Sequence, residues 1–296
     1  MNNNNALNSV LESLAREITG PAQKSVTVIR ESDALEAARQ SDTSLRQAYM
    51  AALGAGIWPI RYMRNAESIS LNEQLKLAES GAAVIGAGGL GAGILVLLAR
   101  MGIGRLFIAD PDVFEESNLN RQLTATSETM GMHKTEAAQN MIRSVNPAVE
   151  TTVFPEKLTP ESAPEILADA DIAIDALDNA TSRLVLAEAC RQAGIPMIHG
   201  AIAGFEGQVM AVFPKDEGLE MIYGRTGKDS SQEPPEAVMG VPGITPAIIA
   251  GLEAMEAVKI LLNRGRTLKN RMLYADLENT GFQEFSFGTD EDQEES

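Results

Sequence analysis

One junction constrains this chain more than anything else in it. The apolar run Ala82–Ile85 leads straight into Gly86-Ala87-Gly88-Gly89-Leu90-Gly91, and an apolar stretch of helical character continues to Met101. A G-x-G-x-x-G element between a buried strand and a helix has a physical meaning. Glycines let the backbone turn sharply and approach an anion, while the first helical turn offers unpaired N–H groups and the positive end of its dipole. A second strand-like run, Arg105–Ala109, ends at Asp110, 19 residues past Gly91. A carboxylate in that position accepts hydrogen bonds from ribose hydroxyls. Gly86, Gly88, Gly89, Gly91 and Asp110 are therefore candidate nucleotide-binding residues, with a plain packing turn as the alternative.

Strand-like and helix-like segments keep alternating through residues 59–286. After the first two strands come Glu150–Phe154, Asp171–Ala176, Pro196–Ile198, Gln208–Phe213 and Met272–Asp276. Helices are expected at Gly91–Met101, Lys134–Val145, Glu161–Ala168, Thr181–Ala193 and Pro246–Leu262, with Gly102, Pro147 and Gly265 closing the first, second and last. This alternation predicts an α/β fold, a Rossmann-like and mostly parallel sheet with helices on both faces. Residues 1–58 read as a mainly helical extension. Apolar residues fall at helical spacing in Ala6–Ile18 and Leu45–Ile57, and a β-branched run, Val26–Ile29, lies between them. Residues 287–296 crowd Asp290, Glu291, Asp292, Glu294 and Glu295 into a tail with almost nothing to bury, so disorder is expected there.

Composition narrows the partners. Lys plus Arg number 24 against 41 Asp plus Glu, a net charge of −17 over 296 residues. Backbone phosphates reward positive charge, so a nucleic acid or an anionic membrane surface is not the expected main partner. Cys190 is the single cysteine, which excludes an intrachain disulfide and a thiolate zinc site. His133 and His199 are the two histidines, too few for an all-histidine zinc site. The longest apolar stretch, Ala82–Leu98, is interrupted by the glycine turn, and the opening Met-Asn-Asn-Asn-Asn lacks the parts of a signal peptide. A cytoplasmic protein without a membrane segment is expected.

The loop after Asp110 redirects the reading. It holds Asp112 and then Ser117-Asn118-Leu119-Asn120-Arg121-Gln122. A guanidinium fork and three amides suit an anion with several oxygens. Lys134, 12 residues past Gln122, adds a point charge at a helix start; a solvated surface lysine is the alternative. Ligands of open α/β sheets lie beyond the carboxyl ends of the strands, so Asp178 and Asn179 emerge beside the glycine loop. A carboxylate near phosphates is repulsive unless a divalent cation bridges them, which makes Asp178 a candidate Mg²⁺ ligand, with a helix N-cap as the alternative. Asp175 is expected to be structural or paired with Arg183. The glycine loop with Asp110, Arg121, Lys134 and Asp178 describes a nucleoside triphosphate site with magnesium. In such a site no side-chain nucleophile is required, and an incoming carboxylate can attack the α-phosphate directly to form an acyl adenylate.

These residues resemble the ThiF/MoeB/HesA family of ubiquitin-activating-enzyme-like adenylyltransferases. The stretches that carry the resemblance are RYMRN (61–65), GAGGLG (86–91), ADPDVFEESNLNRQL (109–123), GMHKTEAAQ (131–139), DALDNATSR (175–183), HGAIAGFEGQV (199–209) and ITPAIIAGLEAMEAVKIL (244–261). The resemblance implies adenylation, with Mg-ATP, of the C-terminal glycine of a small ubiquitin-like sulfur carrier ending in Gly-Gly. It implies that the glycine loop lines the phosphates, that Asp110 holds the ribose, and that Asn118, Arg121 and Lys134 contact the triphosphate. Asp178 serves the metal and Gln122 stands behind the contact residues. Arg64, from RYMRN, looks like the family arginine that reaches the nucleotide of a partner subunit, which implies a homodimer with composite sites.

The sequence departs from the family pattern at its cysteines. Many relatives carry two C-x-x-C pairs that bind structural zinc, but the first such region here, Glu217–Tyr223, has none, and no cysteine follows it. A zinc-free variant is implied. The crossover stretch Pro214–Ile244, where some relatives carry a catalytic cysteine, has none either. Cys190 lies in an apolar helical context and reads as a buried structural thiol. Adenylation is thus expected without covalent sulfur transfer by this chain. Two alternatives share the fold: a TcdA-like enzyme that adenylates a carboxylate on tRNA, disfavoured by the charge, and an NAD-dependent oxidoreductase, which leaves Arg121, Lys134 and Asp178 unexplained. A degenerate carrier-binding scaffold is a non-enzymatic alternative that the complete nucleotide set argues against.

Overall fold

A computed structural model describes residues 3–20, 23–216, 218–224 and 238–287. The acidic tail, from residue 288, and residues 217 and 225–237 of the crossover stretch lie outside the described residues. The N-terminal region contains α1 (Asn3–Leu14), β1 (Arg16–Thr19), β2 (Ser25–Ile29), α2 (Glu31–Gln40), α3 (Leu45–Gly54) and β3 (Trp58–Pro59). Ile18, expected in a helix, instead faces Val26 across the antiparallel β1–β2 pair. Its neighbours Arg16, Glu17 and Thr19 alternate half-buried with exposed, the period of a strand. β3 completes this small sheet by pairing parallel to β2. Leu11, Ile29, Tyr49 and Trp58 are buried together in a cluster of their own. Tyr62 ties this cluster to the rest: its hydroxyl accepts from the Asn146 amide at 2.8 Å, and that amide also bonds the Ala99 carbonyl.

The main sheet begins after α4 (Leu71–Glu79), whose Ser70 and Glu73 form a reciprocal capping box. Its parallel strands are β4 (Gly81–Ile85), β5 (Arg105–Ala109), β6 (Glu150–Phe154), β7 (Ile172–Asp175) and β8 (Met197–Ala203). Helices α5 (Gly89–Met101), α6 (Lys134–Val145), α7 (Ala163–Leu167) and α8 (Ala180–Ala193) connect them. The chain then turns back through β9 (Glu206–Val212), passes the short α9 (Glu220–Tyr223) and the long α10 (Ile244–Leu262), and ends in the hairpin β10 (Arg271–Asp276) and β11 (Gly281–Ser286). The order is β11-β10-β9-β8-β7-β4-β5-β6, antiparallel from β8 to β11. α4, α5, α6 and α10 cover one face around Ile94, Leu98, Ile142 and Ile249. α7 and α8 cover the other around Ile166, Leu186 and Cys190. The expected α/β class and two-faced layering are what the structure shows.

This order positions the site. From β4 the chain steps outward to β5 and β6, then returns to place β7 on the other side of β4. The connections therefore part between β4 and β7, the point where open α/β sheets leave a crevice for ligands. Gly102 closes α5 in the left-handed conformation, as expected. α10 is closed not by Gly265 but by Asn263, at φ 50°, because asparagine also tolerates that conformation. Cys190 is 3% exposed, and burial pushes its thiol up to about 12. No helix among the described residues is long and apolar enough to cross a membrane.

Candidate active site

A cleft of about 530 Å³ opens at the β4–β7 parting. Its floor is the glycine turn. Two of the glycines are demanded by the protein itself. Gly86 sits at φ 102° with the Ala176 carbonyl where a side chain would go, and a Cβ on Gly91 would run into the Gly86 carbonyl. Gly88 and Gly89 are different: a Cβ there would meet neighbours no closer than 3.6 Å. Packing does not require their bareness, and it leaves the backbone there open to close approach from the cleft. α5 opens at Gly89 with no side-chain cap from the described residues on its first N–H groups, the kind of helix start that can receive an anion.

Asp110 stands at one wall, 6% exposed. Its Oδ2 accepts from Ala87 N–H at 2.7 Å and its Oδ1 from Asp112 N–H at 2.8 Å. Burial pushes the carboxyl up, while those two donors pull it back toward the charged form. The fixed carboxylate keeps acceptor capacity toward the cleft.

The loop beyond supplies the cations. Arg121 is held by its own neighbours, donating from Nη1 to the Ser117 carbonyl and to Asn120 Oδ1, both at 2.9 Å. Asn120 also donates to the Val241 carbonyl at 3.2 Å, fastening the loop to the segment before α10. Asn118 turns its Oδ1 onto Glu115 N–H at 3.0 Å. Gln122 lines the cleft directly rather than standing behind it, and its Oε1 is buried without a hydrogen-bond partner among the described residues. Lys134, the first residue of α6, is no solvated lysine: it is 7% exposed, and its Nζ lies 2.8 Å from Asp112 Oδ2.

The far wall comes from the end of β7. Asp178 and Asn179 are both exposed in the cleft. Asn179, not Asp178, caps α8, with its Oδ1 accepting from Ser182 N–H at 2.9 Å and its amide donating to Asp178 Oδ1 at 3.0 Å. Asp178 is thereby left facing the cleft. Asp175, fully buried, takes the structural role expected of it, 3.6 Å from Arg183 Nε, and also accepts from His199.

The structure thus gathers Gly86, Gly88, Gly89, Asp110, Asp112, Asn118, Arg121, Gln122, Lys134, Asp178 and Asn179 around one space. Gly91, Ser117 and Asn120 stand outside it and shape it. Arg64 lies apart, exposed in the turn after Tyr62 and away from this chain's own cleft. Sequence reasoning missed Glu156, Lys157, Ser182 and Val241, which also line the cleft. Glu156 and Lys157 follow the carboxyl end of β6, and that position alone was the available signal. A larger hollow of about 740 Å³ between α7 and α8 is lined mainly by apolar residues, with Thr181, Glu188 and Gln192 as its polar side chains.

Asp178 is the one carboxylate at the end of β7 that faces the cleft, so any metal ion there would take a single protein carboxylate from this wall. Among the described residues no three potential metal ligands cluster, so a cation at Asp178 would complete its shell with phosphate oxygens and water, as Mg²⁺ does.

Residues 62–296 match the ThiF family. The chain is 34% identical over 234 residues to the SAMP-activating enzyme E1 of Haloferax volcanii, spanning 78% of this chain and 86% of that one. It is 36% identical over 223 residues to the sulfur carrier protein adenylyltransferase of Thermus thermophilus, 72% of this chain and 80% of the other. Among solved structures, Escherichia coli MccB with ATP superposes with a TM-score of 0.63 at 19% identity, covering 86% of this chain and 82% of that one. PaaA gives 0.61 at 22% identity, covering 82% and 72%. At those identities the structures speak for the fold, while the family match and the two enzymes above one-third identity speak for descent: the chain belongs to the ThiF family.

Proposed function

We propose that this chain activates the C-terminal glycine of a small ubiquitin-like sulfur carrier, consuming ATP and releasing pyrophosphate. The observation that carries the reading is the meeting, in one cleft, of an uncapped glycine-lined helix start with Arg121, the buried Lys134, Asp110 and Asp178. The names of the two relatives point the same way, and they favour a protein carrier over tRNA.

Asp110 would orient the ribose, and the N–H groups of the α5 start would bind phosphate oxygens. The carrier carboxylate oxygen attacks the α-phosphorus. The bond from that phosphorus to the bridging oxygen breaks, and pyrophosphate leaves with the electron pair. Arg121 and Lys134 would stabilise the charge that grows on the leaving group. Mg²⁺, held by Asp178, would supply further charge neutralisation there. No side chain forms a covalent bond, consistent with a buried Cys190.

Arg64 would serve the site of a second copy, in a homodimer. The outward side of α10 supports this: Ile244, Ile248 and Met255 are 67%, 39% and 58% exposed on one helical stripe. A zinc-free fold and a cytoplasmic setting complete the proposal. The test is ATP–pyrophosphate exchange that depends on a carrier ending in Gly-Gly. Arg121→Ala and Lys134→Ala should each lower it at least a hundredfold, and full exchange in both variants would overturn the reading.

A further inference from the structure

Lys134 is an ill-placed cation. It is the first residue of α6, where the helix presents its positive end, and its side chain is 9% exposed. A desolvated ammonium at that pole demands an anion. The anion it has is Asp112, at 2.8 Å, whose side chain is 62% exposed. The pairing is built into the backbone. Lys134 N–H donates to the Asp112 carbonyl at 3.0 Å, Val113 bridges His133, and Phe114 N–H donates to the Met132 carbonyl at 3.0 Å. This short antiparallel ladder delivers both side chains to the same spot, and both line the cleft. Asp112 N–H is in turn fixed on Asp110 Oδ1.

We propose that Asp112 is a built-in counter-ion, a carboxylate that stands on Lys134 where a phosphoryl group of the nucleotide will stand. The inference rests on the nucleotide reading of the cleft and adds a device to it. A carboxylate and a polyphosphate cannot both crowd one buried ammonium without repulsion. Binding therefore swings the exposed Asp112 side chain toward solvent. Asp112 lowers affinity for every phosphate ligand, and it keeps Lys134 paired while the cleft is empty.

Removing the carboxylate should therefore destabilise the empty protein and tighten nucleotide binding. In Asp112→Asn the unliganded melting temperature should fall, and the dissociation constant for ATP, by calorimetry on the full chain, should drop about tenfold. The thermal shift on adding ATP should grow accordingly. Asp112→Ser should act in the same direction, and Asp112→Glu should stay near wild type. In the background of Lys134→Met the tightening should vanish, since there is no cation left to free. If Asp112 merely holds Lys134 in place, Asp112→Asn will weaken ATP binding, and that result overturns the proposal, as does unchanged affinity. Wild-type protein that does not bind ATP would overturn the nucleotide reading together with this one. Wild-type binding without tightening in Asp112→Asn or Asp112→Ser overturns the counter-ion alone.

Discussion

His199 Nδ1 lies 2.7 Å from Asp175 Oδ2, with both side chains fully buried behind the cleft between β4 and β7. The other ring nitrogen, Nε2, is 3.2 Å from the Tyr223 hydroxyl, and that hydroxyl accepts from Arg183 Nη1 at 2.5 Å. Arg183 lines the cleft and donates to the Leu177 carbonyl through Nε and Nη2. The pattern suits a neutral imidazole that donates from Nδ1 and accepts at Nε2. Burial, more than the opposing pull of Asp175, lowers the His199 pKa. The folded value thus lies below the unfolded one of about 6.5, so the unfolded chain takes up the proton first. The contribution is complete above pH 6.5 and is lost as pH falls below it. His199→Gln should cost about 2–4 kcal/mol at pH 7.5 in urea unfolding, because a buried, paired carboxylate loses a donor. The cost should shrink at pH 5.5. Wild type and variant that lose stability in parallel between the two pH values would refute the neutral histidine.

Glu253 presents the opposite case on the other face of β8. It is fully buried in α10, and neither carboxyl oxygen has a hydrogen-bond partner among the described residues. Burial first, and then the charge of Asp175, raise its pKa well above the ordinary value. The folded protein therefore holds a proton there that the unfolded chain releases. Stability from this group is complete below about pH 4.5 and is lost as pH rises toward the folded value. Glu253→Gln, of nearly equal volume, should equal or exceed wild type in stability at pH 8, and its advantage should narrow on acidification. Gly200 makes the space: a Cβ there would collide with the Glu253 carboxyl. Gly200→Ala should destabilise by about 1–3 kcal/mol, and Glu253→Ala in the same chain should recover part of that loss. An additive double variant would show that the two positions do not share that space.

How far the sequence disclosed this site depends on what each residue had to signal. β5, β6 and α6 fall where their apolar periodicity ends, at Arg105–Ala109, Glu150–Phe154 and Lys134–Val145. β8 runs on to Ala203, beyond the expected Ile198, because Gly200 and Ala201 carry little strand preference and are held by pairing with β9. β11 was hidden because Phe282, Gln283 and Glu284 are all exposed, so no buried face marked it. The glycine loop, Asp110, Arg121 and Lys134 were legible from spacing. The Asp112 pairing, the cap by Asn179 and the buried Glu253 were not, since each depends on a contact between segments distant in sequence or on a one-residue choice of cap.

Arg64 makes the assembly testable. If it completes a second copy's site, a protein carrying Arg64→Ala and a protein carrying Lys134→Ala should each be inactive alone. Mixed subunits contain one intact site per heterodimer: the cleft with its own Lys134, completed by the Arg64 of the other copy. Co-refolding the two variants should restore about a quarter of wild-type exchange activity, as expected when subunits pair at random and only one heterodimer site in two works. No recovery in a verified mixed dimer would place Arg64 outside the neighbour's site.

The four glycines of the loop should separate into two classes on substitution. Gly86 and Gly91 are required by the fold, one by its φ of 102° and the Ala176 carbonyl, the other by the Gly86 carbonyl. Alanine at either must displace backbone that also joins β4 to α5, and a loss of at least about 3 kcal/mol is expected. At Gly89 a Cβ would lie 3.6 Å from Pro246 and 3.8 Å from Arg121, an ordinary contact, so Gly89→Ala should melt close to wild type. If phosphates bind at the α5 start, its methyl would crowd them, and ATP affinity should fall about tenfold, the equivalent of about 1.4 kcal/mol. Melting curves and calorimetry on the same preparations decide the matter. Equal ATP affinity in Gly89→Ala and wild type would mean that the bare backbone at the helix start is not where the nucleotide binds.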